Sequence, residues 1–470
     1  MVEAPQSRRR RRWLLIVATL AAVVVVTVAG AAGWWFTGGA EALARSRWQP
    51  PEQTFLSSMR EQPVAGWRTR MSDLGLPAPT DGGEPSRIAA SNDPNGPRPF
   101  IGSLGNNAYF LASSSGTPGP QWWLVVIDVH DGRSPFAPVQ LGTATMPPQC
   151  FLNGPDHVLC LNVHDDSSFT ASVVDARSGA VVYTGPTDLR LGSATLSVRQ
   201  AGNYAVAETH NQGVYGIGPR TEATWFVPGD GRAQIDPPNH FESVPQEFAA
   251  QYSSSSGASD TTVFSLSDGG VIRAQLDDGT KLGTVKVYPG GFAAQVEAGG
   301  KPLGIQFFDD NGQQVGERGV EGTLTDDSMG LPIVTLRPTG QKAVFSPDGE
   351  KLMDLPDGAT ELVGATLFVN ENRSSTFPMW REYDLKTGDK GPACDFNMSN
   401  YLGTDGSVIV FGATNRKADV LAKARDLATC DTLWTLPSEA TSLGRIWRVN
   451  TTLVQLSDDG TELMSLVPPG

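Results

Sequence analysis

The stretch KARDLATCDTLW, residues 423–434, decides how the rest of the chain is read. One run ends at Asp426, a short turn follows, and a second run begins near Thr432. An aspartate that can bond nearby downstream amides, followed by a residue of positive φ, is the chemistry of a hairpin turn. Glycine is the ordinary occupant of that last position, and here it is Cys430. The same plan recurs along the chain with glycine in place. Runs of β-branched and aromatic residues are divided by Asp-Gly, Asn-Gly or Ser-Gly in WWLVVIDVHDGRSPF (122–136), SVVDARSGAVVYTG (172–185), IQFFDDNGQQVG (305–316) and LVQLSDDGTELMSLV (453–467). This is the signal of strands joined by hairpins, and no long helical pattern follows residue 62.

The turn residues fall at Gly132, Gly179, Gly231, Gly279, Gly312, Gly349, Gly388, Cys430 and Gly460. Most steps are 37 to 52 residues, the length of one four-stranded propeller blade. The shorter steps, 279 to 312 and 430 to 460, read as successive hairpins of a single blade. The expected fold is therefore all-β: a single β-propeller of seven four-stranded blades, with eight as the alternative, preceded by one N-terminal transmembrane helix. A two-sheet sandwich would not need so long a chain or so long a repeat. Closure is also legible: 444–467 supplies three strands, and PVAGWRTR (63–70) would supply the fourth and lock the ring. SSSGTPGP (113–120) and SSSSGAS (253–259) read as loop insertions.

The N-terminus carries Arg8 to Arg12 and then an uncharged, mostly apolar run from Trp13 to Phe36. That run has 24 residues, and about 20 span the hydrocarbon of a bilayer. A cleaved signal has a shorter core, roughly 7–15 residues, so an uncleaved signal-anchor is expected. The arginines stay cytoplasmic, which sends everything after about Thr37 across the membrane. The organisation expected is a cytoplasmic basic tail (1–12), a membrane segment (13–36), a flexible stalk rich in Gly, Ala, Pro and Gln (37–62) and an extracytoplasmic domain (63–470). The chain carries net charge −14. Five arginines against Glu3 make the first twelve residues +4, so the remainder is −18. Nucleic-acid affinity is built on clustered Lys and Arg, so nucleic acid is excluded as a partner of that remainder.

The four cysteines are Cys150, Cys160, Cys394 and Cys430. An even count in an exported domain points to disulfides. Cys150 and Cys160 bracket a hairpin-like turn at Asn153–Gly154–Pro155, which pairs them and leaves Cys394 for Cys430. A metal site is the competing reading, but no CxxC spacing occurs.

KARDLATCDTLW resembles the repeat of PQQ-type propellers, Ala-x-Asp-x-x-Thr-Gly-x-x-x-Trp. It supplies Ala424, Asp426, Thr429 and Trp434, with Cys430 at the glycine. REYDLKTGDKGP (381–392) carries Asp384, Thr387 and Gly388; VVDARSGAVVY carries Asp175, Ser178 and Gly179; VVIDVHDGRSPF carries Asp128, Asp131 and Gly132. Asp384 and Asp426 lie 42 residues apart, in phase with a blade. The resemblance implies a tryptophan that docks between blades, and it makes the motif a structural one. FSPDGEKL (345–352) instead resembles the repeat of TolB-type propellers.

No GxSxG, HExxH or P-loop occurs. His157, His164, Asp165 and Asp166 form the nearest thing to a metal set, but positions seven apart on a strand point oppositely. The acidic pairs Asp277–Asp278, Asp309–Asp310 and Asp458–Asp459 lack the spacing of a calcium loop and read as turn-formers. Quinone-dependent relatives carry adjacent cysteines, absent here, so no cofactor is expected. Non-catalytic relatives resembling the propeller subunit of the outer-membrane assembly machinery use such repeats as scaffold. The expectation is a non-catalytic, membrane-tethered interaction scaffold in the bacterial envelope, with another envelope protein or a cell-wall polymer as partner. The alternative is a small-molecule or quinone-binding sensor or dehydrogenase-like protein that uses the central channel. Trp122, Trp123, Trp225, Trp380 and Trp447 read first as blade packing.

Overall fold

The turn at Asp426 is one of a series that counts the blades. The computed structural model describes residues 39–51, 54–78, 83–89, 99–116, 119–192, 195–234, 246–253, 260–325, 330–372, 378–412, 420–437 and 445–470. Nine antiparallel sheets follow one another in chain order, most of them of four strands. Blades 1 to 8 span residues 100–143, 149–186, 197–228, 248–272, 280–320, 322–355, 359–394 and 401–437. Blade 4 shows three strands, the last only Val271–Ile272, with Gln234 bridging Ala250 where a first strand would lie. Blade 9 takes Ile446–Val449, Thr452–Leu456 and Glu462–Val467 from the C-terminus. Its fourth strand is Val64–Arg70, paired antiparallel to Glu462–Val467 from Val64↔Val467 to Arg70↔Glu462. The ring closes as the sequence of 63–70 and 444–467 foretells.

The blade count of seven or eight is corrected to nine. The third and fourth strands of blades 1 to 8 are joined by turns whose positive-φ residues are Gly132, Gly179, Thr221, Gly269, Gly312, Gly349, Gly388 and Cys430. Their steps are 37 to 48 residues. Thr221 (φ 67°) takes the position with no glycine to mark it. Gly231 and Gly279 belong instead to the crossings from blade 3 to 4 and from blade 4 to 5, and Gly460 to the second-to-third turn of blade 9. The short step from 430 to 460 thus spans two blades and not two hairpins of one.

The hydrophobic core is divided in the same way. Among the described residues nine apolar clusters are present, each shared by two neighbouring blades. One joins Phe110, Val125 and Ile127 of blade 1 to Val454 and Leu463 of blade 9, across the point of closure. Alternating side chains let each strand feed two of these clusters, because successive residues point to opposite sheet faces. Edges are the weakness of small sheets, and a closed ring buries every blade face against a neighbour.

The run 13–36, expected to cross the membrane, lies outside the described residues. Among the described residues no helix is long and apolar enough to cross a membrane. The segment expected to be a flexible stalk is laid against the ring. Its helix Ala40–Arg47 seats Ala44, and then Trp48, among Leu331, Ile333, Leu352 and Leu367 of blades 6 and 7. Leu56 and Met59 are buried with Val408, Trp434 and Leu453 at the boundary of blades 8 and 9. Composition rich in Gly, Pro and Gln concealed the four apolar anchors that hold this strap down.

Candidate interaction site on the turn face

One face of the ring collects the first-to-second and third-to-fourth turns of every blade, since both turns lie at the same end of an antiparallel meander. Backbone bonds tie the two together: Val129 N–H to Asn106, Ala176 to Asp156, Leu385 to Ala365 and Leu427 to Ser407. This turn face carries the aspartate and turn residues of the motif, while Ala424 and Trp434 pair within the strands that lead from it. The third strand ends in Asp128, Asp175, Asp384 and Asp426 in blades 1, 2, 7 and 8. Each Oδ1 accepts downstream amides: His130; Arg177 and Ser178; Lys386 and Thr387; Ala428 and Thr429. Each main-chain carbonyl accepts the amide of Gly132, Gly179, Gly388 or Cys430. The Ser178 hydroxyl and amide hold the Asp175 carboxyl below the ordinary carboxylate range.

The turn residue also meets what lies between blades. A β-carbon at Gly132 would collide with the ring of Trp67, at Gly179 with Phe136, and at Gly269 with Trp225. Each ring comes from the preceding blade, so aromatic docking recurs around the ring. Gly388 lies under the Arg45 guanidinium of the strap instead. Cys430 stands at φ 65°, in the left-handed region, and is bonded to Cys394, the last residue of the fourth strand of blade 7. The disulfide therefore occupies the place of a docking ring. Trp434 donates its indole N–H to Met59 O at 2.7 Å, as Trp67 donates to Val129 O at 2.8 Å. Blade 9 has no covalent third-to-fourth turn, and the strap around Met59 stands in for one. Ala424 is buried beside Trp434.

Cys150 and Cys160 are directly paired across the first two strands of blade 2 and form the second disulfide. His157 and His164 sit at opposite ends of the strand His157–Val163, and His164 meets Thr170. Among the described residues no three His, Cys, Asp or Glu side chains gather as a metal site. Asp309 and Asp459 bond turn amides, and Asp458 pairs with Arg445 at 2.6 Å. Trp122, Trp380, Trp225 and Trp447 are packed in or against the clusters between blades.

Two features give the surface of the ring a shape. An open cleft of about 470 Å³ lies where the closing strand meets blade 1, lined by Arg68, Asp73, Asp131 and Arg133 with Thr69 and Phe136. The strap crosses blades 6 to 9. Arg45 donates to Leu352 O, Lys386 to Trp48 O, Leu56 N–H to Thr404 O and Met59 N–H to Asp405 Oδ2. Arg60 pairs with Asp426 at 2.9 Å.

Groups whose acidity is shifted by burial are spread around the ring. Burial pushes the phenols of Tyr109 in blade 1 and Tyr383 in blade 7 up to about 12, and lowers the Lys423 amine in blade 8. Glu208 of blade 3 is raised by burial despite Arg199 at 3.3 Å and the amide of Ala233 at 2.9 Å. Its folded-state value lies above the unfolded one, so its contribution to stability is complete at acid pH and declines as pH rises through the folded value. Glu208→Gln should thus gain in stability relative to the parent as pH rises from 4 to 8. Paired thermal melts across that range check the sign, and a difference that falls with pH would contradict it.

Comparison with known proteins decides the family. The model of one family, the conjugation-associated 9-bladed beta-propeller domain, matches residues 40–469. The chain belongs to this family. Nine sheets and nine clusters between blades agree with the count in that description, and the matched span includes the strap. An uncharacterized protein of Mycolicibacterium smegmatis (strain MKD8) is 39% identical over 445 residues, covering 92% of this chain and 90% of that protein. The crystal structure of BamB from Moraxella catarrhalis is 12% identical, covers 86% of this chain and 97% of that one, and overlays with a TM-score of 0.38. A europium-containing methanol dehydrogenase is 13% identical, with 91% and 85% covered and a TM-score of 0.28. Both overlay too loosely to say more of this ring. The PQQ-type resemblance holds at the level of the propeller.

Proposed function

We propose that this chain is a non-catalytic, membrane-tethered scaffold in the envelope-spanning part of a bacterial conjugation apparatus, with its propeller outside the cytoplasm. The observation that carries this reading is the match of the conjugation-associated family over residues 40–469. The five arginines and the apolar run 13–36 support the tether and its orientation, and two disulfides suit a compartment outside the reducing cytoplasm. The charge of −18 beyond residue 12 argues that the propeller contacts protein and not the transferred DNA.

The test is transfer frequency from donor cells. Deletion of the gene should cut it by orders of magnitude, and the full chain should restore it. An exported form lacking residues 1–36 should not. Unchanged transfer after deletion would refute the conjugative role, and rescue by the exported form would refute the need for a tether.

A further inference from the structure

The strap fixes which way the ring faces. Only Thr37, Gly38 and Gly39 separate the apolar run ending at Phe36 from the helix Ala40–Arg47. Three residues reach at most about 10 Å fully extended. The helix is not free to swing, because Ala44 and Trp48 are buried between blades 6 and 7 and Arg45 is bonded to Leu352 O. The point at which the chain leaves the ring therefore lies on the turn face.

A second observation falls on the same face. Among the described residues eight large apolar side chains are well exposed. Five of them sit at the turn end of the blades. Phe55, in the strap, is beside Gly406 in the first turn of blade 8. Val64 opens the closing strand, paired with Val467 at the end of its neighbour. Val181 and Val182 follow the turn at Gly179, and Val271 follows the turn at Gly269. These belong to blades 2, 4, 8 and 9, so they form a fringe around the rim and not one patch. Arg47 and Arg60, each about three-fifths exposed on this face, are paired with Glu350 at 3.3 Å and Asp426 at 2.9 Å. Exposed apolar side chains beside the point where the chain leaves the ring are suited to the headgroup boundary of a bilayer.

We infer that the turn face lies against the membrane surface, with Phe55, Val64, Val181 and Val271 at headgroup depth. The opposite face, formed by the second-to-third turns and the crossings between blades, is then the one presented to partners. This inference rests on the tether proposed above.

The experiment uses the full chain in vesicles of mixed phosphatidylcholine and phosphatidylglycerol. A photo-reactive benzoylphenylalanine replaces Phe55 or Val181 on the turn face, or Met146 or Leu303 toward the opposite face. Lipid adducts after illumination, read by mass spectrometry, are expected at 55 and 181 and not above background at 146 and 303. Equal or reversed labelling would overturn the orientation, as would capture of protein and not lipid at 55 and 181 in native membranes. An alkaline carbonate wash separates the two proposals. A chain released by the wash refutes the tether itself, whereas a retained chain without adducts at 55 and 181 refutes only the orientation.

Discussion

A chain that begins at Pro63 should be markedly less stable than one that begins at Gly39, although both keep every propeller strand. The longer form retains Ala44, Trp48, Leu56 and Met59, all buried. Burying an aliphatic or Met side chain contributes about 1.5–3 kcal/mol, so Trp48, Leu56 and Met59 together account for several kcal/mol even after allowance for a compact unfolded state. Removal also orphans partners: the Trp434 indole loses Met59 O, and Asp405 loses the Met59 amide. Each such hydrogen bond given up to water costs roughly a further 0.5–1.5 kcal/mol. Denaturant titration of the two truncations measures the difference. Met59→Ala in the longer form, at a side chain with no exposure, should by itself cost about 2–5 kcal/mol. Equal midpoints for the two truncations would return the segment to the role of a linker. Removal of residues 1–38 alone should leave the midpoint of the ring unchanged.

How much of this could be read beforehand depends on what each position shows in a sequence. Strand and turn were legible because Asp-Gly turns and β-branched runs are local signals, and closure was legible because the last segment holds three strands and PVAGWRTR supplies the fourth. The count failed at two kinds of place. Thr221 adopts the turn conformation without glycine, and Gly231 and Gly279 have positive φ in crossings between blades. Positive φ is a backbone requirement, and glycine marks it only imperfectly. The strap was illegible for another reason. Its anchors are four side chains scattered over sixteen positions from Ala44 to Met59, and what they bury is supplied by residues 331–466, far away in sequence. The turn face as a site shares that difficulty, since Phe55, Val64, Val181 and Val271 are brought to one face only through the topology of the ring.

The disulfide at Cys430 yields the second large effect, and two substitutions at one position separate its parts. Cys394 and Cys430 enclose a segment of 36 residues in separation, for which loop-closure entropy gives about 3–4 kcal/mol. A residue other than Gly, Asn or Asp in the left-handed region costs about 1–2 kcal/mol, and Cys430 carries that cost at φ 65°. Cys430→Ala loses the link and keeps the strain. Cys430→Gly loses the link and relieves the strain, so it should be the more stable of the two by about 1 kcal/mol after allowance for glycine's greater unfolded freedom. Cys394→Ala, which leaves the turn residue unchanged, should match Cys430→Ala. The expected order in denaturant midpoints is parent, then Cys430→Gly, then the two alanine variants. If Cys430→Gly equals the parent, the bond contributes nothing beyond the strain it imposes. If it equals Cys430→Ala, the backbone at this turn does not ask for glycine. The expected order would mean that blade 8 gains more from a covalent tie to blade 7 than it loses in turn geometry, at a boundary where a disulfide and not an aromatic ring meets the turn.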